Sequence, residues 1–224
     1  MLGLDLTELV CIVFVSLISL AFHEFSHAYV SDRLGDHTAR DMGRLTLNPI
    51  KHLDPLGAIM IIASSIKGWG FGWAKPVPIN PRYYKRPKLG TVAVSLAGPL
   101  SNLLFAFIFA FPYFYLVVKQ VMNLDFTMSG FENSLYLLSK VGFQINLGLA
   151  VFNLLPVPPL DGSKILSSVL PARYYFKLMQ YENYIGLVFL AIVLLAPQVL
   201  WTVLGPVWDL LFNIIKSIVL PIVS

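Results

Sequence analysis

The sequence predicts an all-α polytopic membrane protein of about five transmembrane helices. A re-entrant or interfacial segment, with possible short β-strands, is expected between the first two. Three observations predict this class. The 224 residues are 57% hydrophobic and only 12% charged, about half the ~25% charge of soluble domains, and the mean hydropathy is +0.73. Apolar runs near the roughly 20 residues that a spanning helix needs recur along the chain. Basic residues gather between alternate runs, as they do in loops on the cytoplasmic side of a membrane.

The first run, 8–30, follows a start (MLGLDLTELV) that lacks the basic n-region of a signal peptide, and no small-residue cleavage site comes after it. It is expected to stay in place as the first span. It carries the single cysteine, Cys11, so a disulfide framework and a cysteine-based metal site are both excluded. Residues 31–88 are polar and rich in glycine and proline. Within them LGAIMIIASSI, 56–66, is too short to cross alone, and such backbone is tolerated at membrane depth where protein covers it. GRLTLNP, 43–49, alternates briefly like a strand, with a plain interfacial loop as the other reading. Trp69, Trp73, Tyr83 and Tyr84 read as interfacial anchors.

The second span, 89–118, contains the aromatic run FAFIFAFPYFYL, a lipid-packing surface in which Pro112 is expected to introduce a kink. The third span is 134–156. Runs 183–197 and 198–220 complete the set, with the turn between them at Pro197 or at Gly205-Pro206. Trp208, Asp209, Asn213 and Lys216 make the last run partly amphipathic.

Orientation follows from the basic residues. With the N-terminus outside, ten of the 16 fall in the cytoplasmic segment 31–88, and Lys164, Arg173, Lys177 and Lys216 are cytoplasmic as well. Only Lys119 and Lys140 fall on or near the other side. The net charge of +4 is therefore an orientation signal, and no nucleic-acid partner is expected. No linker, repeat or low-complexity tract divides the chain, so 1–224 is expected to act as one membrane-embedded domain.

The first run ends in LAFHEFSHAYV, 20–30, where leucines would be expected. Ionisable residues inside spans are rare and usually functional, and here three stand within five positions. On a helix His23 and His27 are one turn apart on one face. Both imidazoles can then bind one cation, with Glu24 beside them able to act on a bound water. Zinc accepts such ligands tetrahedrally, and a catalytic site keeps one position open. The bland alternative is a hydrogen-bonded polar cluster. Both imidazoles also need acceptors on their other nitrogens; Ser26 faces another side of the helix, and the sequence names none.

His37 and His52 lie in the polar 31–55 segment and read as surface or loop residues. Asp161, in NLLPVPPLDGSKIL (153–166), is the better third ligand, with a turn or N-cap role as its alternative. Asp54 reads as the cap of the 56–66 helix rather than a competitor to Asp161.

H-E-x-x-H in a first core helix, followed far downstream by N-x-x-P-x-x-x-L-D-G (Asn153, Pro156, Leu160, Asp161, Gly162), resembles the site-2 protease family of intramembrane zinc metalloproteases. AGPLSNLL, 97–104, and GWAKPVPIN, 72–80, look like two further elements of its small prokaryotic-type members. The resemblance implies one Zn2+ per chain, bound by His23, His27 and Asp161, with Glu24 as catalytic base. It also implies that Asn153 lies near the scissile carbonyl, where a helix–helix hydrogen bond is the plainer reading. Asn102 braces helices, and Gly98 permits close packing. A short strand in 31–88 is expected to pair with an unwound substrate. No PDZ-like insertion or regulatory domain fits the spacing of the spans.

The function so implied is intramembrane endoproteolysis of transmembrane segments near the cytoplasmic leaflet of a prokaryotic plasma membrane. Its partners are the lipid bilayer and a transmembrane protein substrate, and the oligomeric state is left open. A metal-ion transporter would need polar residues along a path through several spans. The opposite half of the membrane, near 8–18 and 111–118, is nearly free of them. A non-catalytic membrane chaperone would have no need to keep Glu24 with its ligands.

Overall fold

A computed structural model describes residues 6–66, 72–122, 127–171, 173–174 and 180–224, with Asn183 described by its backbone alone. Trp69, Lys67 and Lys177 from the sequence reading lie outside the described residues.

Among the described residues, four helices are long and apolar enough to cross a membrane: α1 (Leu6–Arg33), α5 (Pro87–Met122), α6 (Gly130–Asn153) and α9 (Pro197–Val223). Between α1 and α5 lie the short helices α2 (Thr38–Asp41), α3 (Pro49–His52) and α4 (Pro55–Ser65) and a 3-10 turn at Pro81–Tyr83. Helix α7 (Asp161–Val169) follows α6. The run read as a fourth span is α8 (Glu182–Leu195), of 14 residues. At 1.5 Å per residue that is about 21 Å, short of the ~30 Å hydrocarbon core. Of the two expected turns, the break falls at Ala196, with Pro197 opening α9 in the first-turn position that proline suits. Gly205 and Pro206 lie inside α9.

Helix α6 starts four residues before the apolar run, because Ser129 and Glu132 form a reciprocal capping box. The core lies where α5, α6 and α9 meet, around Ala106, Ala110, Phe114, Phe143, Leu147 and Val219. Alanines on α5 bring its backbone close, and the aromatic rings fill the space beyond. Val10, Phe14, Leu104 and Ile108 are exposed on the outer faces of α1 and α5, as lipid-facing residues must be.

The short helix expected at 56–66 forms as α4, and Asp54 caps it by accepting from the amide of Gly57 (2.8 Å). The strand reading of 43–49 does not hold: among the described residues no strand forms, and pairing reduces to one antiparallel bridge, Leu53 with Ala74. Local side-chain bonds take the backbone groups that a strand ladder would need. Asn48 accepts from the amide of Ile50, and His52 Nε2 donates to the carbonyl of Thr46. His52 is accordingly buried rather than on a loop surface, whereas His37 is exposed and pairs with Asp32. Tyr84, expected as an interfacial anchor, is also buried, with its hydroxyl 2.7 Å from Ser31 Oγ. Tyr83 is exposed, and Trp73 donates from Nε1 to Asp54.

Candidate metal centre

Helix α1 is unbroken through its polar end, so His23 and His27 share a face and Glu24 sits one residue round from it. All three are buried. Asp161 opens α7 and is buried against the same face. His23 Nε2 and His27 Nε2 lie 3.1 and 3.0 Å from Asp161 Oδ2, and 3.0 Å from each other.

Helix α5 supplies the opposite wall. A Cβ on Gly98 would lie 2.5 Å from both His23 Cε1 and His27 Nε2, so any larger residue would push into the imidazoles. The same helix carries the two acceptors that the sequence left unnamed. His27 Nδ1 donates to the backbone carbonyl of Val94 (2.6 Å), and His23 Nδ1 donates to Asn102 Oδ1 (2.6 Å). Asn102, read as a helix brace, is thus a direct partner of His23.

These bonds decide what the triangle can hold. With its proton on Nδ1, a neutral imidazole presents a bare lone pair at Nε2. Two such lone pairs and a carboxylate oxygen converge with no hydrogen among them, an arrangement that a cation relieves. A tetrahedral zinc with bonds of about 2.0–2.1 Å has ligand–ligand edges of about 3.3 Å. The observed edges fall just below that value, so the donor set and spacing fit zinc with one position left open.

Two more contacts shape the site. Lys164 Nζ donates to Asp161 Oδ1 (3.1 Å), which leaves Oδ2 as the oxygen facing the histidines. Its signal in the sequence was the i, i+3 spacing in D-G-S-K. Glu24 Oε2 accepts from the backbone amide of Val77 (2.8 Å), in the loop 72–80. Arg44 Nη2 steadies that loop at the carbonyl of Lys75 (2.7 Å), and the Asn80 amide donates to Asp36 (2.7 Å). Val77 lies inside the family-like element 72–80, though nothing there marks its amide as the partner of Glu24, and no pattern singles out the role of Arg44.

Asn153 lines a cavity of about 1410 Å³ that also reaches His23, Glu24, His27 and Asp161. Its Nδ2 donates to the Leu149 carbonyl of its own helix (2.9 Å), not to another helix. Most of the remaining cavity wall is apolar, including Ile145, Phe152, Leu190 and Trp201.

The chain is 41% identical over 213 residues to YwhC of Bacillus subtilis, a candidate zinc metalloprotease, covering 94% of this chain and 93% of that protein. Residues 127–196 match the family described as Peptidase family M50. The chain belongs to this family, the site-2 proteases. Two more distant M50 relatives, the Rip2 proteins of Mycolicibacterium smegmatis and Mycobacterium tuberculosis (strain H37Rv), are candidate zinc metalloproteases each 31% identical. They match over 65% and 81% of this chain, and over 52% and 65% of their own lengths. No solved structure gives a significant match. The M50 match takes in Asp161 but not α1, so for the histidine pair the family assignment rests on the long alignment with YwhC.

Proposed function

We propose that this M50 chain is a zinc-dependent intramembrane endopeptidase that hydrolyses peptide bonds in transmembrane segments of other proteins, near the cytoplasmic leaflet. The observation that carries the reading is the convergence of two imidazole nitrogens and a carboxylate oxygen within about 3 Å of one another, with the histidines and a buried glutamate on a helix apolar enough to span a bilayer.

His23, His27 and Asp161 would hold the metal, and zinc bound there would supply Lewis acidity toward a water and a carbonyl. Glu24 accepts the proton of the attacking water and returns it to the leaving amine. The Val77 amide fixes one of its oxygens and leaves the other for that transfer. Asn153 retains one N–H beyond its bond to Leu149 and uses it to hold the substrate carbonyl. The apolar cavity accepts the unwound segment, and its walls keep bulk water from the exposed amides. Residues 1–224 act as one domain, with the N-terminus outside and the site toward the cytoplasm, as the basic residues of 31–88 support.

The test compares the wild-type protein with Glu24→Gln for bound zinc and for cleavage of a panel of transmembrane peptides in detergent. Expected is about one zinc per chain in both and cleavage reduced by ~100-fold or more in the variant, the scale of a lost general base. A wild-type protein that takes up no zinc even after supplementation would overturn the reading of His23, His27 and Asp161. Zinc without cleavage in either protein would move the weight to metal transport.

A further inference from the structure

Two asparagines are fully buried in the spans, Asn102 on α5 and Asn146 on α6, where polar groups are costly and need a reason. Asn102 touches His23. Asn146 lies one residue further out, and its hydrogen bonds run in one direction only. Asn146 Nδ2 donates to the backbone carbonyl of Gly142 (2.8 Å). A carbonyl accepts and cannot donate, so the amide of Asn146 must turn its oxygen toward Asn102. Asn102 Nδ2 donates to that oxygen (3.1 Å), with a longer contact to the Ser19 carbonyl (3.5 Å). Asn102 is then left with its own oxygen facing His23, where Nδ1 donates to it at 2.6 Å.

We infer that Asn146 is a positioning residue for the metal centre: through Asn102 it holds the proton of His23 on Nδ1, leaving Nε2 bare toward His27 and Asp161. Reversing either amide would set an oxygen against an oxygen or an N–H against an N–H. The relay thus carries the polarity of one α6 carbonyl across two side chains to one imidazole. His27 has no such dependence, because the Val94 backbone carbonyl fixes it directly. Outer partners of metal-bound histidines orient the ring and fix its tautomer, and losing one typically weakens metal binding 10- to 100-fold. Asn146 acts one step further away, and the Ser19 contact remains in its absence, so its loss falls at the low end.

The inference rests on the metal-site reading above, but its primary test does not. The full-length protein, labelled with 15N-histidine and stripped of metal, is read by NMR for the tautomer of His23, in wild type, Asn146→Leu and Asn146→Ser. The serine hydroxyl can reach the carbonyl four residues back but not Asn102, so it satisfies α6 and breaks only the relay. Expected is the Nδ1–H form in wild type and a mixture containing Nε2–H in both variants. Zinc affinity, measured by chelator competition, should fall about tenfold in each. It should fall further in Asn102→Leu, and no further in Asn102→Leu combined with Asn146→Ser, since both act through one bond. The inference is overturned by an Nε2–H form in wild type, by an unchanged tautomer in Asn146→Ser, or by losses that multiply in the double variant. If Asn146→Leu fails to fold, the wild-type and serine proteins decide. If wild type binds no zinc, the proposed function falls while the tautomer still decides the relay.

Discussion

Two buried polar clusters stand about one helical turn apart at the end of α1, and they are resolved in opposite ways. In the first, with the imidazole protons on Nδ1 toward Asn102 and Val94, His23, His27 and Asp161 bring three acceptor atoms to within about 3 Å with no donor between them. In the second, around Ser31, Asp36 and Tyr84, every acceptor faces a donor. Asp36 Oδ2 accepts from Ser31 Oγ (2.9 Å) and from the Asn80 amide (2.7 Å), and Oδ1 accepts from the amide and hydroxyl of Thr38. Both clusters are buried and both contain a carboxylate, so burial alone does not separate a site from a scaffold. What separates them is completeness. A cluster that satisfies itself ties the chain together, and one that lacks a positive charge is built to receive one.

The largest effect should come from removing a ligand in the first cluster. Asp161→Ala deletes the only carboxylate oxygen in the triangle. Its zinc affinity is expected to fall by more than the ~100-fold that outer partners can cost, read by metal content after dialysis against a weak chelator. Full zinc retention would mean that the converging lone pairs are not the metal site, and the contrast between the clusters would fail.

Asp36→Asn sharpens the contrast from the other side. An amide presents only one oxygen, and its NH2 meets donors where the carboxylate accepted them. A loss of about 3 kcal/mol in folding stability is expected, with zinc affinity unchanged in the folded protein. The effect should also depend on pH. Burial alone would raise the Asp36 carboxyl, but hydrogen bonds from Asn80, Thr38 and Ser31 outweigh it and hold the group below the usual carboxylate range. A depressed folded pKa contributes stability above the unfolded value of about 3.9 and loses it as pH falls through the folded one. The gap between wild type and Asp36→Asn should therefore be full at neutral pH and close below about pH 4. A gap that stays constant into acid would show that the carboxylate charge is not what the cluster uses.

Much of the first cluster was legible in the sequence because its spacing is local. H-E-F-S-H places two ligands on one face by helix geometry alone, and Asp161, the better third ligand by its place in 153–166, was also implied by the family resemblance of that segment. The spans were legible for the same reason, since length and hydropathy are properties of a continuous stretch. The partners that complete the site were not. Val94 contributes only a backbone carbonyl, which any residue could offer. Asn102 meets His23 across 79 residues of chain, and Val77 meets Glu24 across 53. The second cluster was missed almost entirely. Tyr84 reads as an interfacial anchor until the fold seals it against Ser31, and the alternation of 43–49 gave no sign that Asn48 and His52 would take its backbone groups. The run 183–197 reads as a span although its helix, Glu182–Leu195, is shorter than the hydrocarbon core, because the apolar character of 183–220 continues through the break at Ala196.

The smallest effect, and the finest test of independence between the clusters, is Tyr84→Phe. Ser31 donates its one proton to Asp36, so the contact with Tyr84 is donated by the phenol. The order Tyr84 to Ser31 to Asp36 is thereby fixed. Burial pushes the Tyr84 phenol up, which keeps that donor protonated through neutral pH. Phenylalanine preserves the ring that packs over Gly90 and removes only the hydroxyl. The serine then lacks one donor but strands no proton of its own. The expected cost is about 1 kcal/mol, measured by denaturant or thermal unfolding in detergent. Zinc affinity and peptide cleavage should not move, because the three donors of the metal site are oriented from α5 and α7 rather than from this end of α1. A loss of zinc affinity that tracks the loss of stability would mean that the turn between Ser31 and His27 transmits strain. The two clusters would then be one device rather than a scaffold beside a site.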